Sequence, residues 1–457
     1  MKLNVVILAA GKGSRMKSNL PKVLQPLAKK PLLSHVLTTS LNLHANKVIV
    51  VYGHGGDKVK TTIEETFAEA PIVWVEQKEQ LGTGHAVQQA LPELEPGTRT
   101  LILYGDVPLV TEQSLSNFME ETAVDGCGVL TVRLEDATGY GRIVRDESYH
   151  VTKIVEEKDA TDLQKKIDEV NSGIMLVNSD LLKKWLPQLS NQNAQGEYYL
   201  TDIVQMCNGE HVPVNATMVT DPMEVEGVND KLQLANLERL YQVSLAKQLM
   251  QDGATIVDPT RIDIRGKVTV GPDCYIDVNC VFEGTVTLEE NVHIGPNCVL
   301  MNCSIGAGTV IHPNTVIENS TVANKCNVGP YARLRPDTHL KTGARVGNFV
   351  ETKKSVIGEG SKVNHLSYVG DSELGEGVNV GAGTITCNYD GANKHKTLIG
   401  DNAFIGSNSS LVAPVTIGDG ATIGAGSTIA KDAPAAKLTL TRAKQITLDG
   451  WKRPTKK

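Results

Sequence analysis

Ile294-Gly295-Pro296-Asn297-Cys298-Val299-Leu300-Met301-Asn302-Cys303-Ser304-Ile305-Gly306-Ala307-Gly308-Thr309-Val310-Ile311 sets an aliphatic residue at every sixth position, with one step of five before Ile305. The register extends both ways. Upstream stand Ile264, Val270, Ile276, Phe282 and Leu288; downstream come Ile317, Val322, Val328, Leu334, Leu340 and Val346. The period turns ragged between Val346 and Ile357, then recovers through Val363, Val369, Leu374 and Val380. It closes on Ile399, Ile405, Leu411, Ile417, Ile423 and Ile429. Glycine often follows the anchor, as at Gly295, Gly306, Gly329 and Gly418. A period of six fits neither a 3.6-residue helix nor long alternating strands. It fits a parallel β-helix, whose short strands each send one aliphatic side chain inward and whose corners take small residues.

The repeat also accounts for the cysteines. Cys274, Cys280, Cys298, Cys303 and Cys326 each precede an anchor by two positions, where Thr309 and Thr315 stand in other coils. Cysteine there acts as a small buried hydrophobe, so neither a disulfide framework nor a metal site is expected. One stretch interrupts the solenoid: Cys387-Asn388-Tyr389-Asp390-Gly391-Ala392-Asn393-Lys394-His395-Lys396-Thr397. Polar and glycine-containing, it reads as a projecting loop, either functional or a tolerated insertion.

The first half is a different kind of chain. Val5-Val6-Ile7-Leu8 is a continuous apolar run that ends in Ala9-Ala10-Gly11-Lys12-Gly13-Ser14-Arg15. Similar runs at 48–51, 72–75, 100–103 and 129–132 alternate with amphipathic segments, which predicts an α/β sheet covered on both faces. Ligands of such sheets bind beyond the carboxyl ends of the strands. Both the glycine loop and Tyr104-Gly105-Asp106 fall there. Closely spaced N–H groups with Lys12, Arg15 and Lys22 suit phosphate, though an ordinary turn has the same look. The loop lacks the P-loop pattern and the third glycine of a dinucleotide fingerprint. Asp106 reads as a Mg²⁺ ligand or as a turn former.

Leu234, Leu237, Tyr241, Leu245 and Leu249 recur at three or four positions between Asp230 and Gly253, which predicts a long linker helix. The domains are then 1–229, the helix 230–253, and 254–457 with a basic tail. The 457 residues carry 45 basic and 52 acidic side chains, net −7, which disfavours a general nucleic-acid binder. No run approaches the roughly 18 apolar residues of a membrane span. Without a charged leader the start reads as a strand, and a cytoplasmic protein with neither nucleic-acid nor membrane partner is expected.

Leu8-Ala9-Ala10-Gly11-Lys12-Gly13-Ser14-Arg15-Met16 with Pro21-Lys22 resembles the signature of sugar-phosphate nucleotidylyltransferases. Gln80-Leu81-Gly82-Thr83-Gly84-His85-Ala86, Gly139-Tyr140-Gly141-Arg142 and Glu224-Val225-Glu226-Gly227-Val228-Asn229 narrow the likeness. With Asn364-His365-Leu366 and the Asn388-Tyr389-Asp390-Gly391 loop, the chain resembles from end to end one family. Its members are the bifunctional bacterial N-acetylglucosamine-1-phosphate uridylyltransferases/glucosamine-1-phosphate N-acetyltransferases.

The resemblance implies a Rossmann-like α/β nucleotidylyltransferase domain, a linker helix and a left-handed parallel β-helix of hexapeptide repeats. It implies acetylation of glucosamine 1-phosphate from acetyl-CoA, then uridylyl transfer from UTP to N-acetylglucosamine 1-phosphate with release of pyrophosphate. By motif, Asp106 and Asn229 hold Mg²⁺, and Arg15 and Lys22 screen the phosphates. Leu8, Ala9, Ala10, Gly11, Gln77, Gly82 and Thr83 hold the uridine; Tyr104, Gly105, Gly141, Glu156, Asn171 and Asn229 hold the rest of the product. Acetyl transfer needs a base, since an ammonium is no nucleophile. His365 matches the family base, with Glu351 as its expected orienting partner. Arg335, Lys353, Tyr368, Asn379 and Lys394 match the sugar-phosphate site. Ala382, Asn388, Tyr389, Ser407, Ala425 and Arg442 match the acetyl-CoA side, and a homotrimer is implied. The rival reading is a monofunctional nucleotidylyltransferase whose solenoid only regulates or oligomerises.

Overall fold

The computed structural model describes residues 2–53 and 55–456; the terminal Lys457 of the basic tail lies outside them. It comprises two compact units, residues 2–241 and 242–456.

In the first unit the apolar runs become strands β1 (Leu3–Ala9), β2 (Lys47–Tyr52), β3 (Ile72–Glu76), β4 (Arg99–Tyr104) and β5 (Cys127–Arg133). They are joined by β6 (Arg142–Arg145), β7 (Val151–Val155), β8 (Glu169–Asn178) and β9 (Val214–Met218). The main sheet order is β9-β5-β8-β4-β1-β2-β3, with β6 branching from β8 and β7 pairing with β6. β1 lies parallel to both β2 and β4, with Leu8 opposite Val51 and Tyr104. β8 is antiparallel to β4 and β5, and β6 is antiparallel to both β8 and β7. Val5, Ile7, Leu101 and Leu103 pack on one face and Val6, Leu8 and Ile102 on the other. Burial on both faces is why these strands show no alternation.

The linker prediction matches a helix at Lys231–Gln251. Asp230 Oδ1 caps its start, accepting from Leu232 N at 2.9 Å and Gln233 N at 2.8 Å. The helix stops before Gly253, at φ 108°. The boundary between the compact units falls inside this helix, between Tyr241 and Gln242, and not at residue 230. Leu237 is buried with Met16, Leu27 and Leu32, whereas Ala246 and Leu249 join the solenoid core.

The second unit is a left-handed parallel β-helix. Register pairs Ile276 with Ile294, Ile294 with Ile311, and Val346 with Val363. A coil is thus 18 or 17 residues, three steps of six or two sixes and a five, which explains the steps of five in the sequence. The anchors are inward and almost all fully buried. Val346 to Ile357 proves regular after all. Thr352, fully buried, fills the aliphatic slot, and its hydroxyl lies 3.2 Å from that of Thr338. Coils stack tightly at the corners: a Cβ on Gly358 would sit 2.0 Å from the Gly375 carbonyl oxygen.

All eight cysteines are free. In the solenoid, burial pushes Cys280 and Cys303 up to about 12, and Cys298 and Cys326 up to about 11. The packing reading of these thiols stands. No helix among the described residues is long and apolar enough to cross a membrane.

Candidate active sites

The glycine loop leaves β1 and turns through Gly13 into one 3-10 turn, Ser14–Met16. Gly13 has φ 59°, and a Cβ there would lie 2.7 Å from Lys22 Cβ. Its bare backbone lets the Lys22 stem close against the loop. The Lys22 ammonium pairs with Asp106 Oδ2 and donates to Asn229 Oδ1 at 3.1 Å. Arg15 Nη2 donates to the same amide oxygen at 2.9 Å. Val228 N donates to the Asp106 carbonyl at 2.9 Å, fixing the 226–229 segment against the end of β4. Four residues spread over more than two hundred positions of sequence therefore meet at one point.

One carboxylate and one amide oxygen already converge on a cation, the lysine ammonium. Such hard oxygen donors fit Mg²⁺, which takes one or two protein ligands and fills its remaining positions with phosphate and water. No cluster of three or more metal-ligating side chains exists among the described residues.

Beside this cluster opens a cleft of about 290 Å³. Leu8, Ala9, Ala10, Gly11, Lys22, Gln77, Gly82, Thr83, Tyr104 and Asp106, all singled out in the sequence, line it. Gly105 N donates to the Leu8 carbonyl at 2.9 Å and sets the two strand ends side by side. Buried Gln77 donates to the Gly82 carbonyl at 3.3 Å, and Gly82 precedes the helix Thr83–Ala90. Gln80 and Glu197 also line the cleft and were not anticipated. Gln80 lay inside a quoted motif without an assigned role; Glu197 sits in a polar stretch with no pattern to mark it.

Gly141, Glu156 and Asn171 gather next to one another. Asn171 N donates to the Gly141 carbonyl at 2.8 Å, and Glu156 Oε2 lies 3.5 Å from where a Gly141 side chain would begin. Glu156 Oε1 accepts from the Thr201 hydroxyl at 2.9 Å. Burial pushes this carboxyl above its ordinary value despite that bond, and Asp202, Asp159 and Glu197 add to the rise. The Tyr104 phenol is pushed up by burial, then by Glu156 and Asp106.

The acetyltransferase candidates, buried Asn388 apart, lie on the outside of the solenoid and are spread over several coils. Arg335 Nη1 donates to Glu351 Oε1 at 2.8 Å, and Glu351 stands opposite Tyr368 in the next coil. Lys353 stands opposite Gly370 on the same ladder. His365 belongs to a different ladder, opposite Asn348 in the preceding coil; Asn379 lies on the next strand of that ladder. The expected pairing of His365 with Glu351 is corrected: Glu351 is engaged by Arg335, and the contact to His365 Nδ1 is Asn348 Oδ1 at 2.9 Å. Asn348 carried no sequence signal, because an asparagine near a solenoid corner is commonplace.

The interrupting segment is ordered. Asn388 is buried and donates to Asp371 Oδ2, while Tyr389 is 59% exposed, with the Lys394 ammonium 5.8 Å from its ring centroid. Asp390 pairs with His395 at 2.7 Å. The Asn393 N–H, His395 and the Ala392 N–H hold the Asp390 carboxyl well below the usual range. Ala382, Ser407 and Ala425 stack coil upon coil: Asn408 N donates to the Ala382 carbonyl and Gly426 N to that of Ser407, both at 2.8 Å. Arg442 reaches the end of this track, with Nη2 3.3 Å from where a Gly424 side chain would begin.

A nucleotide-sized cleft at the carboxyl edge of an α/β sheet, with a hexapeptide solenoid behind it in sequence, defines a nucleotidyltransferase continued by a hexapeptide transferase. The family models agree. A MobA-like NTP transferase domain matches residues 5–170, a bacterial transferase hexapeptide of six repeats matches 396–431, and a GMPPB C-terminal domain matches 264–338. The Bifunctional protein GlmU of Saccharophagus degradans is 58% identical over 455 residues, covering 100% of both chains. Those of Marinobacter nauticus and Acinetobacter baylyi are 55% and 54% identical, each over at least 99% of both chains. A solved UDP-glucose pyrophosphorylase complexed with UDP-glucose covers 53% of this chain and 98% of its own, at 17% identity and TM-score 0.43. The chain belongs to the GlmU family of bifunctional proteins.

Proposed function

We propose that the solenoid transfers acetyl from acetyl-CoA to the amine of glucosamine 1-phosphate and that the first unit then joins the product to UTP. The second step releases pyrophosphate and UDP-N-acetylglucosamine. The chain is a bifunctional acetyltransferase and uridylyltransferase of UDP-N-acetylglucosamine biosynthesis. The observation that carries this reading is the convergence of Arg15, Lys22, Asp106 and Asn229 at the mouth of a cleft floored by the glycine loop.

In uridylyl transfer the sugar phosphate oxygen attacks the α-phosphorus of UTP in line with departing pyrophosphate. Both reactants are anions, so the protein's work is neutralisation and alignment. Lys22 and Arg15 screen the phosphates, and the Leu8–Gly11 backbone with Gln77, Gly82 and Thr83 holds the uridine. Gly141, Glu156 and Asn171 hold the sugar beside Tyr104. Asp106 and Asn229 would hold Mg²⁺, which would supply positive charge to offset that of the phosphates.

In acetyl transfer His365 takes a proton from the sugar ammonium; the freed amine attacks the thioester carbonyl, the C–S bond breaks, and the second proton shed by the new amide nitrogen goes to the departing CoA thiolate. Arg335, Lys353, Tyr368, Asn379 and Lys394 hold the sugar phosphate. The pantetheine arm lies along Ala382, Ser407 and Ala425, where small side chains allow a close approach, with Asn388, Tyr389 and Arg442 on the remainder of acetyl-CoA. Because these residues are spread over the solenoid surface, the site is completed between copies in a homotrimer, the closed assembly that repeated heterologous contacts permit. The enzyme works in the cytoplasm, where its nucleotide and thioester substrates reside.

The test is two assays on one preparation. Thiol release from acetyl-CoA with glucosamine 1-phosphate should be lost in His365→Ala. Pyrophosphate release from UTP with N-acetylglucosamine 1-phosphate should be lost in Asp106→Asn. Wild-type protein that releases no thiol would leave a uridylyltransferase with a structural solenoid.

A further inference from the structure

We infer that Asn348 is a positioning residue for acetyl transfer, holding His365 in the tautomer that can accept the substrate's proton. This rests on the reading of His365 as the base. Asn348 Oδ1 lies 2.9 Å from His365 Nδ1, and Asn348 and His365 are direct register partners on adjacent coils. An amide oxygen only accepts, so Nδ1 carries the hydrogen and Nε2 keeps the lone pair. A free neutral imidazole divides between two tautomers and rotates about its side-chain bonds. The bond to Asn348 restricts both freedoms and favours Nε2 as the basic atom.

The backbone makes Asn348 a rigid support. Leu366 N donates to the Asn348 carbonyl at 3.1 Å, and the Ser367 hydroxyl donates to the His365 carbonyl at 2.8 Å. Gly383 N from the next coil also donates to the His365 carbonyl, at 3.3 Å. Two stacked coils therefore set the separation of the two side chains. Asparagine offers the acceptor without a charge. A carboxylate in its place would stabilise the imidazolium and hold the proton that must be passed on. The charged groups on the strands packed here are Arg345 and Lys362, register partners of one another. Arg333, Glu351 and Lys353 stand on the neighbouring ladder, and Arg335, just past the end of its strand, is paired with Glu351. Asn379 on the following strand is uncharged.

The experiment is the pH dependence of acetyl-transfer kcat/KM in the full-length enzyme for wild type, Asn348→Ala, Asn348→Asp and His365→Ala. Asn348→Ala should lower kcat roughly tenfold or more while KM for acetyl-CoA stays within about twofold, the pattern of a misoriented base. Asn348→Asp should move the acid limb of the profile to higher pH by roughly half a unit to one unit. Uridylyl transfer should be unchanged in both. An Asn348→Ala enzyme with wild-type kcat, or an Asn348→Asp profile that superimposes on wild type, overturns the proposal while the loss in His365→Ala leaves the base assignment standing. Full activity in His365→Ala overturns both.

Discussion

Arg142 Nη2 lies 2.7 Å from Glu157 Oε2, and the arginine side chain is only 2% exposed. Its Nη1 also donates to the Tyr140 carbonyl. One buried cation thus ties the turn that presents Gly141 to the residue that follows Glu156. Removing one partner of a buried pair strands the other charge and costs roughly 3–5 kcal/mol. Arg142→Met is expected to destabilise the first unit by about 3 kcal/mol in urea unfolding. In enzyme that remains folded, KM for the sugar phosphate should rise several-fold more than KM for UTP. Equal changes in the two constants would mean that the pair supports the fold without shaping the sugar site.

The two reactions should separate on chelation. On the proposed assignments, uridylyl transfer would depend on charge neutralisation around Asp106 and Asn229, and acetyl transfer on a histidine. Added EDTA is therefore expected to abolish pyrophosphate release and leave thiol release within about twofold. Restoring Mg²⁺ should recover the first activity. A parallel loss of both would place a metal in the solenoid site as well.

Gly13→Ala tests the close approach of the loop to Lys22. The new methyl would sit 2.7 Å from Lys22 Cβ on a backbone at φ 59°. The left-handed conformation alone costs about 1–2 kcal/mol for a side-chain residue, and the clash must push the lysine stem aside. Uridylyl transfer should fall roughly a hundredfold, mostly in kcat, because Lys22 loses its place beside Asp106 and Asn229. Acetyl transfer should be untouched.

Much of this was legible because burial leaves a periodic trace. The solenoid could be read from its anchors, and the parallel strands of the first unit from continuous apolar runs. Thr352 escaped because the aliphatic pattern does not register a threonine that satisfies its own hydroxyl inside the core, against Thr338. The uridylyl site was legible through glycine motifs, whose need for bare backbone constrains sequence. Asn348 and Glu197 were not, since a polar residue supplying one contact from a corner or a loop leaves no pattern. The division at Tyr241 was equally hidden, because a helix that packs with one core at Leu237 and another at Leu249 keeps one periodicity throughout.

The thiols give a prediction in which pH has a definite sign. Cys280 and Cys303 titrate at about 12, and Cys298 and Cys326 at about 11, all raised by burial. Their unfolded counterparts ionise near pH 8.5. A folded pKa above the unfolded one means that the contribution to stability is complete below about pH 8.5 and is lost as pH rises towards 11 and 12. Urea midpoints for the solenoid should therefore hold steady from pH 7 to about 8 and fall progressively above it. Over the same range the buried thiols should resist alkylation, since at pH 8 a thiol of pKa 12 is ionised to only about one part in ten thousand. Among the eight cysteines only Cys387 is not buried, so brief treatment with iodoacetamide at pH 8 should add a single label there, read by peptide mass spectrometry. Fast labelling of Cys280 or Cys298 in folded protein would show that the coils open locally, and the steepening of stability loss with pH should then disappear as well.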